Sequence, residues 1–406
     1  MSDSVSLYKI DMISIIIPVY NGAKVLKRSV GSVYRQTYEN IELILINDGS
    51  TDESLQVLEK LAGKAPENVH VVILDQKNHG ICIARNHGID HAHGKYIMFM
   101  DQDDRMHPDC IERLVCASKP EPMDTACQCR DIKEDRTAST NETIGDSAYA
   151  NAEDKQDIRY ADMVIGGFDL KDVTTGKIKE CWTLDPDHYF DMFRITAPWG
   201  RLFRKSIIDK YNLRFMVTKI SEDLYFNYVY LSYCRNVMVL PYRGYVWYVS
   251  PASESHANMS RYSEDRDVLK VLDKMLADMD HPSEGACRIF RSAADIHMNK
   301  SDDISSNKDY IGSVKREYID YAVIKHVVWY LFFTARSLDA DALKINYNRC
   351  INWLLANAAN VYDNPLIRKV NEPAGENPKI KLIIKFSVLL IRMKVFEKLL
   401  QVYRVL

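Results

Sequence analysis

Apolar runs of strand length alternate with helical periodicity through the first hundred residues. Ile13 to Val19 (ISIIIPV) is an unbroken, mostly β-branched run, as expected of a strand covered on both faces. Pro18 lies near its end, where a missing amide donor matters least. Tyr20-Asn21-Gly22 makes a turn, and Ala23, Leu26, Val30, Val33 and Tyr34 share one face of a helix predicted over 23–34. A second strand is predicted over Ile41 to Asn47, followed by the turn Asp48-Gly49-Ser50. Ser50 and Glu53 have capping-box spacing for the next helix, which should bury Leu55, Leu58, Leu61 and Ala62. Val69 to Leu74 reads as a third strand, Gly80 to Ala92 as a third helix, and Tyr96 to Met100 as a fourth strand. Four such repeats predict an α/β fold with a mostly parallel sheet flanked by helices. Right-handed crossovers then gather the loops after the strands on one rim.

That rim carries the candidate chemistry. The fourth strand runs straight into Asp101, Asp103 and Asp104. Clustered carboxylates at a buried strand end are costly unless something positive faces them. Oxygen ligands at i and i+2 suit a hard cation such as Mg²⁺ or Mn²⁺, which bridges substrate phosphates. A solvated acidic turn ahead of a helix near Pro108 is the plainer alternative. Tyr20, Asn21, Asp48, Asn78, Gly80 and Arg85 fall on the same rim. Nucleotide diphosphates need this mixture: an acid or amide for the base edge, an aromatic beside it, and donors for phosphates. Each residue also has a bland role: Asp48-Gly49 as a turn, Arg85 paired with Asp90 on a helix surface, Tyr20 as packing. His87, His91 and His93 invite a zinc reading, but no Glu follows His87 directly, and an exposed helix end is the better fit.

The pattern changes at 119–159. From Glu121 to Asp157 ten Asp/Glu stand against four Lys/Arg, a net of −6, with few large apolar residues. Such a stretch cannot bury enough surface to order itself and reads as an acidic, mobile surface insertion. Ala161 to Phe168 returns as a strand of the same sheet. Ser221-Glu222-Asp223 opens an aromatic-rich helix, with Ser221 placed to cap it. From about Ser260 the pattern is helical, and Val323, Val327, Tyr330 and Leu331 repeat at core spacing. Asn371 to Pro378 reads as a linker. The tail from Lys379 has seven Lys/Arg and one acid, Glu397, among many aliphatics. Lys381, Lys385 and Arg392 share one helical face, and Lys394 and Lys398 another.

Composition excludes several classes. The chain has 406 residues, room for two or three domains, and a net charge of −3, which gives no global signal for nucleic acid. The first residues are acidic and lack an apolar run, so no secretory leader is expected. Nine cysteines without regular spacing fit a reducing compartment, and Cys127-x-Cys129 lacks a matching second pair. The run from Tyr321 to Ala335 is too short and too charged to span a bilayer. A cytoplasmic protein is expected.

The segments ISIIIPVYNG, ILINDGSTDES, NHGICIARNHGI and MFMDQDD occur in this order, and together they resemble the inverting family 2 glycosyltransferases of GT-A fold. The resemblance is strong over about 12–115 and looser over 160–255. It implies a hexosyl- or N-acetylhexosaminyl-transferase of the non-processive type, a nucleotide-sugar donor with UDP expected, and Mn²⁺ or Mg²⁺ as cofactor. Carried over by position, Pro18, Tyr20 and Asn21 would line the nucleotide and Asp48 would read the base. Asn78, Gly80 and Arg85 would contact the donor, and Asp101 and Asp103 would hold ribose and metal. TAPWGRLFRK makes Trp199 a candidate acceptor platform, with a core role as the alternative.

Inverting transfer needs a carboxylate to take the acceptor proton, and the resemblance points to Asp223, with Glu222 in support. The family often has an Arg where this chain has Val249, leaving Arg243 or His256 to supply a cation. The Q-x-x-R-W motif of processive relatives is absent. The implied division is a donor half at 1–118, the insertion at 119–159, an acceptor and catalytic half at 160–256, and a helical region at 257–406. The acceptor would be a glycan or lipid-linked saccharide in polysaccharide biosynthesis. The basic tail at 379–406 could meet a membrane surface peripherally, at its inner face, or pack on the domain or a second subunit. A non-catalytic glycan- or partner-binding scaffold is the rival reading. So is a sugar nucleotidyltransferase, although PVYNGAK lacks the Gly-rich basic loop it needs. No G-x-G-x-x-G follows the first strand, against a dehydrogenase.

Overall fold

The computed structural model describes residues 10–119, 160–249, 263, 266–282, 288–290, 310–358, 361–369 and 371–405, with 288–290 and 310 by backbone alone. The insertion beyond Lys119, Cys127, Cys129 and His256 lies outside the described residues.

The predicted repeats form in order: β1 (Ile13–Val19), α1 (Leu26–Val33), β2 (Ile41–Asp48), α2 (Ser54–Ala62), β3 (Val69–Gln76), α3 (Ile81–His91) and β4 (Tyr96–Phe99). β5 (Arg105–Met106) and α4 (Cys110–Ser118) follow. The chain resumes with β6 (Met163–Asp172), β7 (Ile178–Trp182), β8 (Arg201–Arg204), α5 (Glu222–Ser232) and β9 (Asn236–Val249). One curled sheet runs β9-β6-β8-β4-β1-β2-β3, with Arg288–Phe290 beyond β9. The pairs β1–β2, β2–β3, β1–β4 and β6–β9 are parallel, and β8 runs antiparallel between β4 and β6. All of β1 and β2 is buried, as their largely apolar runs require, and the buried Ser14 hydroxyl donates to Glu42 on the neighbouring strand.

Helices α6 (Val268–Met279), α7 (Arg316–Ala335), α8 (Ala340–Asn357), α9 (Pro378–Arg392) and α10 (Phe396–Val405) make up the rest of the described fold with short pieces between. Val323, Val327, Tyr330 and Leu331 are buried in α7, as their spacing predicts.

Local expectations fail where side chains find other partners. The helix expected from Ala23 starts at Leu26. The Ser50–Glu53 capping box does not form: the Ser50 hydroxyl accepts from the Asn21 amide, and the Asp52 carboxylate takes the Ser54 amide. The Ser221 hydroxyl caps nothing, because Ser221 is in the left-handed region at φ 59°. The stretch read as a linker, 371–378, is packed down: Glu376 is buried and ion-paired with Lys325 on α7.

Candidate active site

Four loops meet at the carboxyl ends of β1, β2, β3 and β4. The first two are stitched together by Asn21, whose amide donates to Ser50 Oγ at 3.0 Å and whose Oδ1 accepts from the Thr51 amide at 2.8 Å. Asn21 is left-handed (φ 49°), a conformation Asn tolerates better than most residues. Gln102, the middle residue of D-x-D, grips the other side of the same turn. Its Oε1 accepts from the Tyr20 amide at 3.1 Å and its Nε2 donates to the Tyr20 carbonyl at 3.0 Å. The Tyr20 ring stays exposed on the rim, whereas Pro18 is buried in β1 opposite Ile46.

Asp48 closes the third loop. Its Oδ1 accepts from Gln76 Nε2 at 2.7 Å and the His79 amide at 2.9 Å, and its Oδ2 from the Gly80 amide at 2.8 Å. A carboxylate has about four acceptor sites, and three of those of Asp48 are taken up within the protein. Asp48-Gly49 is also a tight turn: Gly49 has φ 65°, and a Cβ there would lie 2.5 Å from the Asn78 amide nitrogen. Asn78 itself is exposed, and Gly80, at φ 88°, opens α3.

Arg85 ties the two halves of the domain together. It is only 2% exposed, yet its Nη1 donates to Asp223 Oδ1 at 2.6 Å and its Nη2 to Asp101 Oδ1 at 3.1 Å. Its guanidinium also lies over the Phe215 ring, 5.1 Å from the centroid. Asp90, the partner a surface reading would give it, pairs with Arg214 instead. The two carboxylates raise the Arg85 pKa against the opposing effect of burial. The Asp223 carboxyl is raised to about 7, the balance of burial and the charges of Glu222 and Asp101, which push it up, against Arg85, which pulls it down. Asp223 and Glu222 directly follow the left-handed Ser221, on the first turn of α5.

The D-x-D segment is braced from beneath. Asp104 is fully buried, with Oδ2 accepting from the Tyr245 hydroxyl at 2.7 Å and Oδ1 from the Tyr248 amide at 2.8 Å. The Asp101 amide donates to the same Tyr245 oxygen at 3.2 Å. Desolvation, then the charges of Asp101 and Asp103, holds the Asp104 carboxyl well above its ordinary range. The segment is a turn in which Asp103 reaches solvent while Asp104 is held inside. Trp199 lies face to face with Tyr245, centroids 4.5 Å apart, and is 5% exposed. The structure places it as packing under D-x-D, with an aromatic group of Phe168, Trp182 and Trp247 beside it.

The donor set fits a hard cation. Asp103 is exposed at the rim beside Asp101, and desolvation together with the Asp101 charge raises its carboxyl. Among the described residues no group of three or more His, Cys, Asp or Glu is placed to hold an ion. An ion at Asp101 and Asp103 would thus draw most of its shell from water and ligand, the usual habit of Mg²⁺. His87 and His91 meet edge to face, ring centroids 4.7 Å apart, but their Nδ1 atoms pair with Gln76 Oε1 and the His87 carbonyl, and His93 Nδ1 pairs with Glu42 Oε1.

Of the cations considered near Val249, Arg243 is committed to Asp169 at 2.8 Å, and Val249 is buried. Sequence reading missed Arg28. From α1 its Nη2 donates to the Asp103 carbonyl, and its guanidinium lies 4.0 Å from the centroid of Tyr248, with Lys171 at 5.8 Å from the same ring. Gln102 and Tyr245 were missed as well. Gln102 fills the unspecified position of D-x-D, and Arg28 and Tyr245 belong to none of the motif segments singled out above; only their position in space marks them.

Comparison with known proteins agrees with this geometry. The glycosyl transferase family 2 model matches residues 14–190. Glycosyltransferase GlyA of Streptococcus pneumoniae is 26% identical over 291 residues, 71% of this chain and 38% of that protein. The uncharacterized glycosyltransferase YibD of Escherichia coli is 40% identical over 117 residues, 29% of this chain and 33% of that one. The chain thus spans well under half the length of these relatives. Residues 1–349 of Staphylococcus aureus TarS, solved in complex with UDP-GlcNAc, superpose with a TM-score of 0.53 at 15% identity, covering 97% of this chain and 91% of that one. At that identity the likeness speaks for the fold, a GT-A-like sheet. The ordered rim segments, the family match and the shared fold agree in likening residues 14–190 to glycosyl transferase family 2.

Proposed function

We propose that the chain is an inverting glycosyltransferase that moves a sugar from a nucleotide-diphosphate donor to a hydroxyl of a glycan or lipid-linked saccharide. The observation that carries this reading is the single buried guanidinium of Arg85 between Asp101 and Asp223. It couples a D-x-D carboxylate to a second carboxylate whose pKa is pushed to about 7, where a general base works best near neutral pH.

Asp223 acts as the base. Arg85 holds Oδ1, and Oδ2 takes the proton of the acceptor hydroxyl as that oxygen attacks the anomeric carbon. The bond from that carbon to the diphosphate oxygen breaks, and the diphosphate leaves with the electron pair, inverting the centre. Asp101 and Asp103 would hold Mn²⁺ or Mg²⁺, which would supply positive charge for the departing diphosphate. Arg28 brings a second positive charge to the same segment. Asp48 and the Tyr20-Asn21 turn hold the nucleoside end. UDP is the expected nucleotide, and UDP-GlcNAc in the TarS complex supports that choice. A saccharide carried on a lipid places the reaction at a membrane surface.

Titration calorimetry with UDP, GDP and dTDP, each with Mn²⁺ and with chelator, tests this on wild type and Asp103→Asn. Metal-dependent binding of one nucleotide, lost in the variant, is the expected result. If no nucleotide binds under either condition, the chain is a scaffold of the same fold.

A further inference from the structure

Helix α9 is apolar on both sides. Ile384, Val388 and Ile391 face the protein and are buried. On the other side Leu382, Phe386, Leu389 and Met393 are 70, 52, 49 and 60% exposed. At 3.6 residues per turn these four fall within about 60° of one another, a single stripe. Helix α10 packs on α9 and exposes Leu399, Val402 and Val405 in turn. A monomer rarely leaves such a patch without a use.

A basic row borders the stripe. Lys381, Lys385 and Arg392 run along one edge; Lys381 Nζ donates to the Asn371 carbonyl and Lys385 Nζ to that of Lys369, whose own side chain is exposed. The acids nearby are Glu372, which accepts from the Ala374 amide, and Glu397 on α10. Apolar residues bordered by fixed positive charge complement the boundary between acyl chains and anionic headgroups. A second copy docking antiparallel through the same stripe would set one basic row against another, which like-charge repulsion opposes. Among the described residues no helix is long and apolar enough to cross a membrane, so the helix would lie on the surface.

We infer that α9 is an interfacial helix that docks the chain on an anionic bilayer, with Phe386 and Leu389 at the acyl boundary and the Lys381–Lys385–Arg392 row at the phosphates. Delivery of a lipid-linked acceptor rests on the transferase reading; the docking itself does not.

The test is co-sedimentation of the full chain with vesicles of phosphatidylcholine alone and of phosphatidylcholine mixed with phosphatidylglycerol. Binding should appear with the mixed vesicles and weaken with salt. It should be lost in the double variant Phe386→Asp, Leu389→Asp. Lys381→Gln and Lys385→Gln should each lower the partition coefficient by up to about five-fold. Wild-type melting temperatures would show these surface variants to be folded. Equal sedimentation of wild type and the double variant would overturn the inference. So would a wild-type dimer that the double variant dissociates, with no vesicle binding by either. UDP binding is read on the same samples, so a failed donor site and a failed membrane face are told apart.

Discussion

Arg85 Nη1 lies 2.6 Å from Asp223 Oδ1, joining residues 138 positions apart. The same guanidinium holds Asp101. One buried cation therefore sets the distance between the segment proposed to hold the donor and the group proposed to activate the acceptor.

Replacing Arg85 tests that coupling. Arg85→Met leaves two partly exposed carboxylates facing each other without their counter-charge, at a cost below the about 3 kcal/mol of a fully buried pair. Because Arg85 lowers the Asp223 pKa, its removal should move the acid limb of the rate profile to higher pH. Arg85→Lys should restore stability in part and activity little, since an ammonium cannot bridge two carboxylates in this planar geometry. Urea melts and kcat against pH check both.

Asp223→Asn should lower kcat by about 10²–10⁴-fold, the usual worth of a general base, while leaving UDP affinity near wild type. In wild type the base is active when ionised, so the rate should rise with pH through about 7. The stability effect has the opposite sign. The folded pKa lies above the ordinary carboxylate value, so Asp223 favours the fold most below pH 4 and loses that contribution as pH rises toward about 7. Calorimetric scans of the ligand-free chain across that window should show Asp223→Asn flattening the decline.

Mn²⁺ should raise the melting temperature, with about 2.7 kcal/mol of stabilisation when the ion is at a hundred times its Kd. Chelator should abolish the rise, and Asp103→Asn should be insensitive to both. A rise retained in Asp103→Asn would place the ion elsewhere.

Tyr245→Phe removes the hydroxyl that serves both Asp104 and the Asp101 amide. Leaving buried polar groups short of a partner costs about 1–3 kcal/mol, read from the midpoint of a urea melt. The donor KM should rise more than kcat falls, because the substitution loosens the D-x-D segment rather than the base.

Much of the fold was legible in the residue pattern because strand and helix periodicity is local. β1 to β4 and their helices lie where the apolar runs predict, and turns such as Asp48-Gly49 follow from short-range sterics. The motif order from Tyr20 to Asp103 also marked the rim correctly as the place where polar groups gather. The pattern did not show that Arg85 turns inward, that Gln102 clasps the Tyr20 backbone, or that Ser50 gives up capping for a bond to the Asn21 loop. Those choices depend on which strands lie side by side. An antiparallel β8 between β4 and β6 separates the first repeats from the second half and brings α5 over Arg85. The same limit applies to α9: its composition makes both faces apolar, and only the packing against α7 decides which face is left to solvent.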